Sequence, residues 1–338
     1  MKIDWLHKDG YSRLILIFAG WSTDASFYSD IIHEGWDIAV VSGYSDLSFP
    51  SHVTEGYSSV AVIAWSLGVW AASRALSGDN IALAIAVNGT ECPVNDSLGI
   101  PVAVFDGTTE NLSVRNLDRF RRRIAGKGYD SIKDRLQNCR TDIGDLRNEL
   151  EFIRKCCKES HKTSLRWQRA YISSDDLIFP ASSQLSAWEQ NPFHPETVVV
   201  EGAHYINLAQ VIKGALPTEK KIGERFRKAV PTYDSQAYAQ RRIAERLAGM
   251  CDDSVIGKMI EIGSGTGIFS RIIAEKCHPS AMTFVDLYEL EPYGVANREE
   301  YIVADAENWM TLEADMHPAS ADAIVSASAI QWFVNPRS

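Results

Sequence analysis

Short apolar runs separated by polar stretches dominate the first part of the chain. LILIF (14–18), DIAVV (37–41), VAVIA (60–64), IALAIAV (81–87) and VAVF (102–105) carry almost no polar alternation. A strand with one wet face alternates, so continuous runs of this length predict strands buried on both faces of a parallel sheet. Helical segments lie between several of them, notably Leu67 to Leu76, and the pattern predicts an open α/β sheet. From about 112 to 162 the texture changes. Leu117, Phe120, Ile124, Leu136, Ile143, Leu146, Leu150 and Ile153 recur at helical spacing among many charges, which predicts a helical insertion. Strands resume at 169–172 (RAYI) and 197–200 (TVVV).

A second break falls at LPTEKKIG (216–223), which is polar and contains Pro217. It predicts a first domain over 1–216, a linker over 217–223 and a second domain over 224–338. Past it, an amphipathic helix at about 235–249 leads to a strand at 258–262, a helix at 268–276 and strands at 282–286, 301–303 and 322–326. No internal repeat or low-complexity tract is visible.

The 338 residues hold 34 Lys and Arg against 44 Asp and Glu, a formal charge of −10. That balance argues against general nucleic-acid binding, which needs a basic face. Dividing the chain after residue 217 leaves −5 on each side, so charge does not separate two functions. No apolar run reaches the roughly 18–20 residues of a membrane span. MKIDWLHKDG lacks the charged-then-apolar profile of a signal peptide, so a cytoplasmic protein without a membrane partner is expected. Cys92, Cys139, Cys156, Cys157, Cys251 and Cys277 show no paired spacing, which points to free thiols and to no metal centre.

The first candidate chemistry is in VAVIAWSLG. An apolar strand runs into Ser66 and a helix follows, with the small residues Ala64 and Gly68 two positions either side. This is the nucleophile-elbow pattern in an A-x-S-x-G form. After the strand at 169–172 comes SSDDLIFP, with Asp175 and Asp176; Asp176, four residues before Pro180, is preferred. After the strand at 197–200 comes EGAHYINL, with His204. The order Ser66, Asp176, His204 is that of α/β-hydrolases. Backbone N–H groups of Trp21, after Ala19-Gly20, and of Leu67 would form the oxyanion hole.

FAGWSTDASFY, VAVIAWSLGVWAA, SSDDLIFP and GAHYINL together resemble the BioG-type pimeloyl-acyl-carrier-protein methyl ester esterases, over about residues 1–215. The resemblance implies hydrolysis of the methyl ester on pimeloyl-carrier protein, in biotin synthesis, without a cofactor. The basic segment LSVRNLDRFRRRIAG falls within it. Arg119, Arg121, Arg122 and Arg123 there could dock the acidic carrier protein, against the plainer reading of a solvated helix face. Exposed aromatics such as Trp21, Trp65 and Trp70, with the insertion, could line an acyl slot. The residues alone leave two other readings open: a serine hydrolase of other small esters or thioesters, and a non-catalytic carrier-protein binding module.

The second candidate chemistry is the strand 258–262 running into EIGSGTG, with Glu261, Gly263, Gly265 and Gly267. A glycine-rich turn between strand and helix lets the backbone approach a nucleoside. Asp286 ends the next strand, where an acid would hold ribose hydroxyls, and Asp305-Ala306 follow the one after, where adenine would lie. The acidic residue in the strand end favours S-adenosylmethionine over NAD or FAD. Residues 222–333 resemble BioC, the malonyl-carrier-protein O-methyltransferase, through RFRKAVPTYDSQAYAQRRIAERL, MIEIGSGTGIFSRII, ADAENW and SASAIQWF. That resemblance implies a Rossmann-like class I methyltransferase with a malonyl carboxylate as acceptor and a lid near Tyr233. Such a fold has about seven strands and the pattern shows four, so a truncated domain with weak or absent methyl transfer is expected. The expected architecture is thus an α/β-hydrolase with a helical insertion, followed by that partial domain.

Overall fold

The computed structural model describes residues 1–77, 81–158, 165–216, 237–251, 257–289, 292–304, 306, 309 and 321–327. The chain divides into two compact units, Met1–Leu216 and Pro217–Ser338.

The first unit is built on a seven-stranded sheet. Its strands are β1 (Lys2–His7), β2 (Arg13–Phe18), β3 (Asp37–Ser42), β4 (Ser59–Trp65), β5 (Ile81–Val87), β6 (Arg169–Ser173) and β7 (Glu196–Val200). The spatial order is β1-β3-β2-β4-β5-β6-β7. All neighbours are parallel except β1, which runs antiparallel to β3. The unbroken apolar runs lie at the centre: Leu14 to Phe18 and Val60 to Ala64 are all fully buried. β1 escapes a search for apolar runs because KIDWLH alternates and lies half-buried at a sheet edge. β7, at the opposite edge, leaves Val199 exposed.

The helices of this unit are α1 (Leu67–Ala75), α2 (Val102–Glu110), α3 (Val114–Ala125), α4 (Tyr129–Gln137), α5 (Ile143–Cys156), α6 (Ala181–Glu189) and α7 (Leu208–Ala215). VAVF at 102–105, expected as a strand, is the first turn of α2. The run is short, follows Pro101 directly and continues into polar residues. It buries Phe105 while leaving Val104 exposed, the mark of a single apolar face. The sheet passes straight from β5 to β6, and helices α2 to α5 lie between those two strands in sequence.

The second unit contains α8 (Tyr238–Ala248), β8 (Lys258–Ile262), α9 (Ile268–Cys277), β9 (Ala281–Asp286), β10 (Arg298–Val303) and β11 (Ala323–Val325). Its sheet is wholly parallel, in the order β10-β9-β8-β11. Strand order third, second, first, fourth is that of a doubly wound sheet, whose ligand crevice opens at the carboxyl ends beside the first strand. The expected linker and lid residue Tyr233 fall outside the described residues, as does Asp305. Among the described residues no helix is long and apolar enough to cross a membrane.

Candidate functional site

The buried strand β4 delivers its chain end into a sharp turn. Ser66 has φ 59 and ψ −127, a left-handed conformation that costs a non-glycine residue of order 1–3 kcal/mol, and it caps α1. Gly68 makes the turn possible: a Cβ there would stand 2.3 Å from the Phe18 carbonyl oxygen, on backbone that cannot yield. Gly20 does the same for Trp65, whose ring would lie 2.7 Å from an added Cβ.

Three loops then converge. His204 Nε2 lies 2.9 Å from Ser66 Oγ, and His204 Nδ1 lies 2.7 Å from Asp176 Oδ2. All three side chains are buried. Asp176 is further held by the N–H groups of Ile178 and Phe179 on Oδ1 (2.8 and 2.9 Å) and by Gln184 Nε2 on Oδ2. The neighbouring Asp175 is exposed and contacts Gly202 only through its backbone N–H. The Phe179 ring lies parallel to the imidazole at 5.9 Å. Sequence reasoning passed over Gln184, Phe179 and Asn88, which lack a motif; each is found by its contact with the acid or the histidine.

Ser66, Trp21 and Leu67 line one narrow, largely apolar cleft. The Leu67 N–H is at the first position of α1, where a helix has no carbonyl of its own to offer it. Phe105 of α2, Phe120 of α3, Leu150 of α5 and Ile178 supply much of the wall, and Thr108 and Arg123 are its polar members. Of the three tryptophans expected on a slot, only Trp21 lines this cleft. Trp65 and Trp70 are completely enclosed in the core, where rings of that size bury the most apolar area.

The basic helix α3 is two-faced. Arg119, Arg122 and Arg123 share its exposed face, with Arg122 over the Tyr129 ring at 4.6 Å and Arg123 over the Phe120 ring at 6.0 Å. Arg121 does not join them. Half a turn away, it is 3 % exposed and donates from Nη2 to the carbonyls of Arg140 (2.8 Å) and Ser22 (3.4 Å). Its expected part in carrier docking is therefore corrected: the guanidinium is turned inward, onto the carbonyls of Arg140 and Ser22.

In the second unit, Gly263, Gly265 and Gly267 all have positive φ, between β8 and α9. Asp286, at the end of β9, accepts the Gly265 N–H on Oδ2 at 3.0 Å. Glu261 is buried, and burial pushes its carboxyl up to about 7; burial raises Asp286 as well. The Tyr293 hydroxyl donates to the Gly265 carbonyl at 2.6 Å, and its ring covers Gly267. Ala306 is buried after β10. A glycine turn with an acid at the next strand end fits the ribose of a nucleoside.

Residues 1–209 match the family model described as pimeloyl-ACP methyl esterase BioG. The chain is 32% identical over 335 residues to a malonyl-acyl-carrier-protein O-methyltransferase of Bacteroides fragilis, a match covering 95% of this chain and 66% of that protein. It is 33% identical over 123 residues to the Bacteroides thetaiotaomicron malonyl-acyl-carrier-protein O-methyltransferase, covering 34% of this chain and 45% of that one. The chain thus spans just under two thirds of the first relative and less than half of the second. Among solved structures, BioG from Haemophilus influenzae aligns with a TM-score of 0.55 at 33% identity, covering 61% of this chain and 94% of that one.

Proposed function

This chain belongs to the BioG family of pimeloyl-ACP methyl esterases, and from that premise we propose that its first unit hydrolyses the methyl ester of pimeloyl-acyl-carrier protein. The observation that carries the reading is the buried relay from Asp176 through His204 to Ser66, with links of 2.7 and 2.9 Å, at an apolar cleft. His204 Nε2 takes the Ser66 proton as Oγ attacks the ester carbonyl. The tetrahedral oxyanion forms against the N–H groups of Trp21 and Leu67, each such donor contributing about 2.7–4 kcal/mol. His204 returns the proton to the departing methoxide, and methanol leaves an acyl-serine. Water, deprotonated by the same imidazole, releases the free carboxylate. Asp176 holds the Nδ1 proton in place and stabilises the imidazolium throughout.

The acyl chain lies along the apolar wall of Phe105, Phe120 and Leu150. The carrier protein is acidic, and the exposed face of Arg119, Arg122 and Arg123 would receive it. Mass spectrometry of pimeloyl-carrier-protein methyl ester tests the assignment: wild type removes one methylene mass, and Ser66→Ala leaves the substrate intact. An unchanged mass with wild type would remove the esterase reading.

For the second unit we propose S-adenosylmethionine binding, with a malonyl-carrier-protein carboxylate as methyl acceptor. Gly263, Gly265 and Gly267 would cradle the nucleoside, Asp286 would receive the ribose hydroxyls, and Glu261 would support the turn. Asp305 and Ala306 would meet adenine on the sequence pattern. The cofactor would supply an electrophilic methyl group. Equilibrium dialysis with labelled S-adenosylmethionine should show binding to the whole chain that Asp286→Ala removes.

A further inference from the structure

We propose that Asn88 is a positioning residue that ties the end of β6, from which the acid loop departs, to the histidine loop of the hydrolytic site. It directly follows β5, is wholly buried, and has φ 44, a left-handed conformation that Asn tolerates better than other side chains. Its backbone N–H donates to the Tyr171 carbonyl at 2.9 Å, as a last rung between β5 and β6. Its side chain does three further things. Oδ1 accepts the Ser173 N–H at 2.7 Å, while Nδ2 donates to Ser173 Oγ at 2.8 Å and to the His204 carbonyl at 2.7 Å. The chemistry settles which way the amide points, because a backbone N–H faces one end and a carbonyl faces the other.

The need for such a clamp follows from the strand ladder. β6 and β7 pair as far as Ser173 and Val200, and the contact continues through Ser174 N–H to Val200 and Asp175 N–H to Gly202. There it stops, one residue before Asp176 and two before His204. The 2.7 Å contact between those side chains therefore depends on something other than the sheet. Asn88 reaches the end of β6 at Ser173, three residues ahead of Asp176, and at the same time the carbonyl of His204 itself. Only an amide suits the place. The Trp65 indole N–H also donates to the His204 carbonyl, at 3.0 Å, but a carboxylate offers no second donor there, and an alkyl side chain would leave the buried Ser173 N–H without its acceptor.

The inference rests on Ser66, Asp176 and His204 forming the hydrolytic site, so Ser66→Ala is measured alongside. Asn88→Gly accepts the left-handed backbone and removes the side chain; Asn88→Asp keeps the shape and the acceptor but loses the donors. Both are made in the full chain, with folded fraction followed by circular dichroism and p-nitrophenyl butyrate as substrate. A misplacement of the imidazole is expected to lower kcat by about ten- to a hundredfold per folded molecule while KM stays within about twofold. Labelling of Ser66 by a fluorophosphonate should slow in step. In Asn88→Gly the acid limb of kcat/KM should move to lower pH, since a loosened Asp176 stabilises the imidazolium less. Folded variants with wild-type kcat and an unmoved acid limb would overturn the proposal, as would losses that only track the folded fraction. If Ser66→Ala itself keeps full activity, the hydrolytic assignment falls instead.

Discussion

The indole N–H of Trp65 donates to the main-chain carbonyl of His204 at 3.0 Å. The residue immediately before the proposed nucleophile thus holds the backbone of its proposed base. Trp65 also stacks on Phe27 at 5.7 Å and meets Tyr205 edge-on, so its ring packs the loop that its N–H anchors.

Trp65→Phe keeps an aromatic ring and removes that donor. Loss of the hydrogen bond and of part of the indole should cost about 1–3 kcal/mol in urea unfolding. The kcat for p-nitrophenyl butyrate should fall with little change in KM. A variant as active and as stable as wild type would show that the contact does not matter.

The left-handed turn at Ser66 separates catalysis from stability. Ser66→Ala and Ser66→Gly should both lose hydrolysis by orders of magnitude. Ser66→Gly relieves the φ 59 strain, and it should unfold at higher denaturant than Ser66→Ala by about 1 kcal/mol. Equal midpoints would mean that the turn is unstrained.

The two faces of α3 should respond differently. Arg119→Glu with Arg122→Glu should raise KM for the carrier-linked ester by about tenfold and spare p-nitrophenyl butyrate, with the difference shrinking in high salt. Arg121→Met leaves the carbonyls of Ser22 and Arg140 without this donor, and should lower turnover of both substrates. Equal losses on both substrates from the Arg119 and Arg122 pair would sink carrier docking on this face.

The apolar wall should also grade substrates by length. Along carrier-linked methyl esters from malonyl to pimeloyl, each added methylene should raise kcat/KM by about fourfold, the equivalent of about 0.8 kcal/mol of buried CH₂. A flat profile would place the acyl chain outside the cleft. The same gradient would spare the short ester that a methyltransferase first installs.

Glu261 sets a pH dependence on the second unit. Its folded-state value of about 7 lies above the ordinary 4.5, so the folded state binds the proton more tightly than the unfolded chain. Stability of this unit should therefore rise as pH falls from about 7 toward 4.5, and Asp286 moves in the same direction. Glu261→Gln should flatten that slope in thermal unfolding. A slope unchanged by the substitution would assign it elsewhere.

How far the molecule was legible depended on how local each feature was. LILIF and VAVIA declare buried parallel strands because both faces of each are covered. VAVF has the same composition, yet Pro101 and the polar residues after it make it a helix with one buried face. β1 was invisible because an alternating edge strand resembles a loop of mixed polarity. The arginines of α3 form one charged run on paper, and rotation about the helix axis sends Arg121 inward while its neighbours face water.

The sequence by itself determined the central buried strands, the serine at a strand-to-helix turn, the histidine after the last strand and the glycine loop of the second unit. These are properties of residues a few positions apart, governed by backbone sterics and periodicity. The spacing to Pro180 favours Asp176 over Asp175, and the tertiary structure puts Asp176 on the imidazole; only that structure shows that Asn88 and Trp65 hold it from behind. His204 lies 28 residues from its acid, 116 from Asn88 and 139 from Trp65. Separations of that kind are closed by strand order and sheet register, and no local pattern records them.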